Sequence, residues 1–145
     1  MTKSRTWTAL FSLAAIGVLI QLVPIRRDNP TAPPAEQVAA PPEVASILHR
    51  SCDDCHSNNT VWPWYSHVAP ASWLVARDVH EGRRHLNFSE WNGYSAADRS
   101  EKLEHIPEHV KSGEMPLWYY LPLHPAARMS ADDVNRVSSW AENQK

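Results

Sequence analysis

The chain opens with a long uncharged apolar run. Residues Trp7 to Val23 carry no charged side chain, and Lys3 and Arg5 precede them. This run of 17 residues is at the lower limit for crossing a bilayer. The basic residues before it are typical of a signal sequence or a signal anchor. No small-x-small cleavage pattern follows closely, so residues 1–27 are predicted to be a retained anchor, with a cleaved signal peptide as the alternative.

A proline-rich segment follows the apolar run. Residues 28–42 read DNPTAPPAEQVAAPP and contain five prolines but almost no bulky side chains. Such a composition cannot bury enough apolar surface to fold by itself. The segment is predicted to be an extended linker, and the folded domain is predicted to span residues 43–143.

Two amphipathic helices are predicted at the ends of this domain. Residues 43–50 place Val44, Ile47 and Leu48 on one helical face. Near the C-terminus, Ser130 is a favourable N-cap. The residues after it form an apolar stripe at helical spacing, made of Val134, Val137, Trp140 and Ala141.

Two further helices are predicted between these ends. Residues 71–85 fit one of them, and residues 95–104 fit the other, with Ser95 as its cap. Pro107 is expected to kink or restart the second helix near its end. Gly113 suits a helix C-terminus. No stretch shows the alternation of a strand, so the predicted fold class is all-α.

Charge is distributed unevenly along the chain. No acidic residue precedes Asp28, whereas the chain from Asp28 onward has 10 Lys and Arg against 16 Asp and Glu, a net charge near −6. Without a basic stripe to hold phosphates, nucleic acid is not expected as a partner. A protein partner is expected to offer a basic patch.

The chemistry-bearing motif is Cys52-Asp53-Asp54-Cys55-His56. Two thiols three residues apart can add to the two vinyl groups of one haem, and the histidine that follows can face the iron. The Cys-x-x-Cys-His pattern therefore predicts covalent attachment of haem c, with His56 as the proximal ligand. Attachment of this type takes place outside the cytoplasm, which predicts a periplasmic domain.

Other chemistries use a Cys-x-x-Cys pair. A structural zinc site needs four ligands, and here His49 or His67 would have to complete it. A thioredoxin-like redox pair would need an α/β context, which the pattern does not show. With haem as the preferred cofactor, the terminal helices predict a class I-like cytochrome c domain wrapped around one haem.

The sixth position on the iron has several candidate ligands. Met115 lies in Gly113-Glu114-Met115-Pro116, late in the chain and before the last helix, where the distal methionine of a small cytochrome c is expected. Met129 is interpreted as packing. His67 and His124 are the histidine alternatives. Methionine ligation would give a higher reduction potential than two histidines.

Aromatic and basic side chains near this motif have less specific interpretations. The many Trp and Tyr residues are taken mainly as filling around a flat apolar ligand, with hydrogen bonds to the haem propionates as the alternative. Arg77, Arg83 and Arg84 match carboxylate geometry, although solvated surface is the expected position of each.

These motifs together resemble the family of small bacterial haem-binding domains with a single Cys-x-x-Cys-His motif. The resemblance spans residues 43–143. It rests on five stretches: SCDDCHSN into WPWYS at residues 51–66, VAP with SWL at 68–74, DV with EGR at 78–83, LNFSEW at 86–91, and GEMP with Tyr119, LHP and Ala127 at 113–127. It implies haem c on Cys52, Cys55 and His56 and supports Met115 as distal ligand. Leu117 stands where a second proline is common in such loops, a small departure.

Three functions remain open at this point. The preferred one is a single-electron carrier without enzymatic activity. It would be anchored to the inner membrane by residues 7–23, exposed to the periplasm, and exchange electrons with redox proteins there. The first alternative is a haem-based sensor or ligand-binding module with a labile distal ligand. A small peroxidase is the least favoured, since no distal His-Arg pair is evident.

Overall fold

The structure is a computed structural model that describes residues 2–144, and all regular secondary structure in that range is helical. The all-α prediction is thereby confirmed, while the class I-like arrangement around a haem stays a prediction. The α-helices are α1 (Thr2–Leu19), α2 (Pro42–Ser51), α3 (Asp53–His56), α4 (Ala71–His85), α5 (Ala96–Ser112) and α6 (Ala131–Glu142). Short 3₁₀ turns cover Ile20–Leu22, Pro34–Glu36, Trp64–His67, Phe88–Gly93 and Pro125–Ala127.

The chain forms two compact units. The first unit joins the N-terminal segment through Asp28 with Trp62–Asp78, and the second unit joins Asn29–Val61 with the chain from Val79 onward. Helix α4 runs through the boundary between Asp78 and Val79. The domain limits drawn from the sequence at residues 27 and 42 remain predictions.

The first unit contains the apolar N-terminal helix. Within it, the window Arg5–Leu22 has a mean hydropathy of 1.4 and no buried share. By length and composition this helix is able to cross a membrane, and a signal sequence has the same properties. Beyond α1, side chains bind the loop at residues 62–70: Gln21 contacts the backbone of Ala69, and Arg27 donates to the carbonyl oxygen of Ser66.

The core of the second unit forms where α6 packs against both α2 and α5. Its buried members are apolar side chains from these helices and from the turn Phe88–Gly93: Val44, Ile47, Leu48, Phe88, Trp91, Leu103, Ile106, Val137, Trp140 and Ala141. The apolar face predicted for α2 lies in this core, as do Val137, Trp140 and Ala141 of the face predicted for α6. Val134, the fourth residue predicted for that face, is only half-buried and is not part of the core.

Helix α5 begins as predicted and ends later than predicted. Ser95 Oγ accepts a hydrogen bond from the backbone N–H of Asp98 at 3.1 Å, and Gly113 closes the helix with a φ of 78°. The expected restart at Pro107 is wrong, because α5 continues through it to Ser112. Pro107 is buried, like its neighbour Ile106.

The start of α6 is fixed by a capping box that is tied to α2. Ser130 Oγ accepts from the N–H of Asp133 at 3.1 Å, and Asp133 Oδ2 accepts from the N–H of Ser130 at 2.8 Å. Arg50 Nη2 lies 2.7 Å from Asp133 Oδ1. The Ser130 backbone bond, helped by Arg50, lowers the pKa of Asp133 from 3.8 to about 2. This carboxylate therefore joins the end of α2 to the start of α6.

The proline-rich segment is partly packed, and it is not a free spacer throughout. The N–H of Val38 donates to the carbonyl oxygen of Phe88 at 2.8 Å, and Val38 and Ala40 pack against the core of the second unit. Asn92 Nδ2 donates to the carbonyl oxygen of Ala35 at 2.8 Å. Local composition could not predict these contacts, because Phe88 lies 50 positions after Val38 and Asn92 lies 57 positions after Ala35.

Candidate functional site

The Cys-x-x-Cys-His motif forms one tight turn at the end of α2. Cys52 ends that helix, and its carbonyl oxygen accepts hydrogen bonds from the N–H groups of Cys55 at 3.1 Å and His56 at 2.9 Å. The turn continues as α3, which ends with His56. Cys52 and Cys55 are not joined in a disulfide. The turn thus presents Cys52, Cys55 and His56 from a single rigid element.

The ring of His56 is held through its Nδ1 atom. Nδ1 lies 3.1 Å from the carbonyl oxygen of Gly82 and 3.1 Å from that of Leu86. Carbonyl oxygens only accept, so Nδ1 carries the proton and Nε2 keeps its lone pair. A hydrogen bond from one ring nitrogen to a carbonyl oxygen orients the other ring nitrogen of a metal-binding histidine. Burial lowers the pKa of His56, which keeps the ring neutral and able to bind a metal.

Helix α4 approaches the motif closely at Gly82. A Cβ atom at this position would overlap the carbonyl oxygen of Cys55 and lie 3.0 Å from its carbonyl carbon and 3.2 Å from its Cβ. Only glycine leaves room for this approach. Because Gly82 also supplies a carbonyl to His56, the missing side chain is what allows that hydrogen bond.

The thiol of Cys52 is in an environment that disfavours its anion. Burial, followed by the nearby charges of Asp53 and Cys55, raises the pKa of Cys52 to about 12, although Arg50 opposes this shift. A thiol of this kind carries little thiolate at neutral pH. Across the described residues 2–144, no group of three His, Cys, Asp or Glu side chains is placed to hold a metal ion together.

Asp54, between the two cysteines, fastens the motif to later parts of the chain. Its Oδ2 accepts a hydrogen bond from the Tyr120 hydroxyl at 2.6 Å, and its Oδ1 accepts from the N–H of Val61 at 2.9 Å. The ring of Tyr120 stacks on His124 at 3.9 Å between centroids. An open cavity of about 390 Å³ lies here, lined by His49, Arg50, Asp53, Asp54, Asn59, Val61, Tyr120 and residues 123–127.

Arg83 braces the loop that follows the motif. Its guanidinium donates to the carbonyl oxygen of Ser57 at 2.7 Å, to Thr60 Oγ1 at 2.7 Å and to Asn29 Oδ1 at 3.0 Å. The sequence suggested a propionate partner or solvated surface, and neither interpretation anticipated these protein contacts. The other two candidate arginines pair with neighbours on their own helix, Arg77 with Asp78 and Arg84 with Glu81.

A buried polar network lies beside the motif. Asn87 Nδ2 donates to Asn58 Oδ1 at 2.9 Å, and Ser89 Oγ accepts from the N–H of Asn58 at 2.9 Å. The N–H of Ser89 in turn donates to Asn87 Oδ1 at 3.0 Å. In the sequence, these residues stand out only through the family resemblance. Their physical role is to satisfy each other's polar groups in the interior.

Met115 lies in the loop after α5. Its side chain is half-buried, and its N–H donates to the carbonyl oxygen of His109 at 3.2 Å. His109 lies close enough to His56 for its charge to contribute to the lowered pKa of that ring. Met129 packs against the core, as expected. His67 lies in the first unit, in the turn Trp64–His67. Met115 as the distal ligand stays a prediction.

The residues present fit a haem, because the His56 ring is oriented through Nδ1, leaves Nε2 available and follows two cysteines that are not in a disulfide. A family model described as a haem-binding domain matches residues 15–143. The chain belongs to this family. Neither the curated proteins nor the solved structures that were compared with the chain give a match.

The extent of the family match bears on the N-terminus of this haem-binding domain. The match begins at residue 15, inside α1, and ends at residue 143, directly after α6. It therefore includes the last part of the apolar helix and the loop that Gln21 and Arg27 contact. This part of the helix belongs to the family's domain.

Proposed function

We propose that this haem-binding domain carries one covalently attached haem c. Cys52 and Cys55 would form the two thioether bonds, His56 would bind the iron from the proximal side, and Met115 would bind it from the distal side. The observation that carries this proposal is the double carbonyl hold on Nδ1 of His56, at the end of a Cys-x-x-Cys-His turn.

We propose further that the domain is a single-electron carrier. When bound, haem supplies a one-electron iron couple whose potential depends on the axial ligands. The chain's own part is to hold those ligands still. His56 is fixed by Gly82 and Leu86, and the turn that carries it is fixed through Asp54. Rigid ligands favour fast electron transfer because little has to move when the iron changes oxidation state.

The proposed location is the periplasmic side of the inner membrane, with residues 7–23 retained as an anchor. The periplasmic side is supported by the proposed covalent haem c, because haem c is attached outside the cytoplasm. The contacts of Gln21 and Arg27 with the loop at residues 62–70 support retention, because cleavage at the end of the apolar run would remove Gln21 from the fold. The family match from residue 15 is consistent with this.

The proposed partners are redox proteins in the membrane or the periplasm. From Asp28 onward the chain has six more acidic than basic residues, counted from 10 Lys and Arg against 16 Asp and Glu. Complementary charge steers electron-transfer partners together. A partner with a basic docking patch is therefore expected, and its association rate should fall as ionic strength rises.

The test is visible spectroscopy of the full chain matured with a haem-attachment system. A pyridine haemochrome of c-type is expected, and the oxidised protein should show the weak band at about 695 nm that accompanies a methionine–iron bond. Met115→Leu should abolish the band, while the volume-matched control Met129→Leu should keep it. If haem binds without the band, the sixth coordination position is either occupied by a histidine or left open. If no haem attaches, the proposal is wrong.

Binding of carbon monoxide to the reduced protein separates the carrier from a sensor with a labile distal ligand. In the wild-type protein, a stable methionine–iron bond should prevent carbon monoxide from binding. The Met115→Leu variant lacks that bond and should bind carbon monoxide readily. If the wild-type protein binds carbon monoxide readily at neutral pH, the electron-carrier proposal is wrong and the sensor alternative is favoured.

A further inference from the structure

The first unit exposes an aromatic segment that the haem chemistry does not use. We call residues 62–74 the tryptophan segment. Its most exposed side chain, Trp64, is 76% accessible, and Val68, Trp73 and Leu74 are also exposed. From Trp62 through Arg77 the sequence has no acidic residue. Exposed large apolar side chains that lie close together in a chain are typical of surfaces that contact a membrane or another protein.

The tryptophan segment is bound to the end of α1. Gln21 Nε2 donates to the carbonyl oxygen of Ala69 at 3.2 Å, and the N–H of Ala69 donates to Gln21 Oε1 at 2.9 Å. The guanidinium of Arg27 donates to the carbonyl oxygen of Ser66 at 3.0 Å. One side chain thus satisfies both backbone groups of Ala69, and a second one holds the neighbouring turn.

These contacts fix the height of the segment relative to a membrane. The apolar window ends at Leu22, so Gln21 lies at the last turn of the part that is able to cross a bilayer. If α1 crosses, Gln21 is at the boundary between hydrocarbon and water. The backbone of Ala69 lies within hydrogen-bond distance of it and must be at the same level. Tryptophan and tyrosine side chains prefer that boundary, where the ring is apolar and the polar tip is wet.

We propose that the tryptophan segment lies in the lipid–water interface of the membrane that α1 crosses, with Trp64 and Trp73 among the lipid headgroups. This inference rests on the proposed membrane anchor. The first unit then touches the bilayer twice, once through α1 and once through this segment. The absence of acidic side chains suits a surface that carries negative lipids. The unit is seated on the membrane and does not swing on a tether.

The test measures the depth of spin labels on the full, haem-loaded chain in lipid nanodiscs that contain anionic lipid. Thiols bonded to haem do not react, so a single introduced cysteine takes the label. Labels at Val68→Cys and Leu74→Cys report on the segment and leave Trp64 and Trp73 in place. Leu13→Cys reports on α1, and Asn135→Cys on the exposed side of α6 reports on water. Accessibility is compared between dissolved oxygen and a water-soluble nickel chelate.

The expected result is a several-fold higher ratio of oxygen to nickel accessibility at Val68 and Leu74 than at Asn135. If the label at Leu13 is in the bilayer but the ratios at Val68 and Leu74 equal the ratio at Asn135, the interfacial position of the segment is overturned. The proposed membrane anchor is then retained. If Leu13 also matches Asn135, the anchor itself is wrong. If the labels are hidden from both reagents, a protein surface covers the segment, and the proposal is overturned as well.

A matched pair of substitutions tests the role of the ring. Trp64 and Trp118 are almost equally accessible, at 76% and 78%, but Trp118 lies in the second unit. Trp64→Ser should lower the accessibility ratio at the Val68 label about twofold or more, since the ring is a main interfacial contact. Trp118→Ser should leave that ratio unchanged. Equal effects of the two substitutions would count against the proposal.

Discussion

Nδ1 of His56 lies 3.1 Å from the carbonyl oxygen of Gly82, although the two residues are 26 positions apart in the chain. The contact exists because Gly82 has no side chain to hold α4 away from Cys55. One glycine therefore contacts both the Cys55 peptide and the His56 ring of the motif. Its lack of a side chain lets α4 pack against the Cys55 carbonyl group, and its own carbonyl oxygen accepts the hydrogen bond from His56.

The first prediction concerns Gly82. Gly82→Ala places a Cβ atom onto the carbonyl group of Cys55, so α4 must move and the hydrogen bond to His56 must lengthen. We expect a loss of about 1–3 kcal/mol in the free energy of unfolding, the usual cost of forcing an extra methyl group into packed structure. The expected companion effect is a shifted reduction potential. Denaturant unfolding and redox titration of the haem-loaded protein measure both.

Gly93→Ala is the matched control for this substitution. A Cβ atom at Gly93 meets nothing within 4 Å. It should change the free energy of unfolding and the potential little. Should Gly82→Ala behave like Gly93→Ala, the close approach of α4 to the motif is not the constraint described here.

The second prediction concerns the loop after the motif. Arg83→Gln removes charge-assisted hydrogen bonds to Ser57 and Thr60 in a half-buried position. We expect a loss of about 2–3 kcal/mol in the free energy of unfolding, because hydrogen bonds to a charged group are stronger than neutral ones. Arg83→Lys should recover only part of it, since an ammonium group lacks the planar fork.

Arg84→Gln is the control, because Arg84 pairs with Glu81 on an exposed helix surface. Exposed ion pairs contribute about 0–1 kcal/mol. Urea denaturation of the three variants ranks them. An equal loss from Arg84→Gln would contradict the bracing role of Arg83.

Local sequence patterns predicted the parts of the fold that depend on neighbours in the chain. The caps Ser95 and Ser130 and the apolar face of α2 are of this kind, since capping and amphipathic spacing act within one or two turns. The motif at residues 52–56 was equally visible because its chemistry needs a fixed short spacing.

Long-range contacts were not predictable in the same way. The acceptors of His56 lie on α4 and directly after it, and the partner of Val38 is Phe88. Nothing in the local pattern distinguishes Arg83, which braces the motif loop, from Arg84 beside it. Proline-rich composition pointed to a spacer, but it carries no information about a core that folds elsewhere and accepts Val38.

The third prediction concerns stability in acid. Asp133 has a pKa of about 2 in the folded protein, below its ordinary value of 3.8. Its lowered pKa stabilises the fold at every pH above the unfolded value, and this contribution is lost as pH falls from about 4 to about 2. Asp133→Asn should cost about 1–2 kcal/mol at pH 7, and the difference from wild type should shrink over that acidic range.

Asp132→Asn provides the comparison on the same helix turn. Asp132 pairs with Arg136 on the exposed side of α6 and lacks the capping bonds. Asp132→Asn should therefore lower the free energy of unfolding by less than about 0.5 kcal/mol at pH 7. Unfolding by denaturant at a series of pH values gives both curves. A gap between wild type and Asp133→Asn that stays constant down to pH 2 would argue against the capping carboxylate as its source.

The fourth prediction concerns the junction between α1 and the tryptophan segment. Gln21→Ala removes the acceptor of the Ala69 N–H and the donor to the Ala69 carbonyl oxygen. The Ala69 amide should then exchange with solvent deuterium about tenfold faster or more, since local opening governs exchange. Gln37→Ala, an exposed glutamine in the proline-rich segment, should leave that rate unchanged. Hydrogen exchange of the full chain in nanodiscs, read at the peptide that contains Ala69, measures the effect. Unchanged exchange in Gln21→Ala would mean that α1 does not hold the loop, which would remove the contact that sets the segment at the height of the membrane surface.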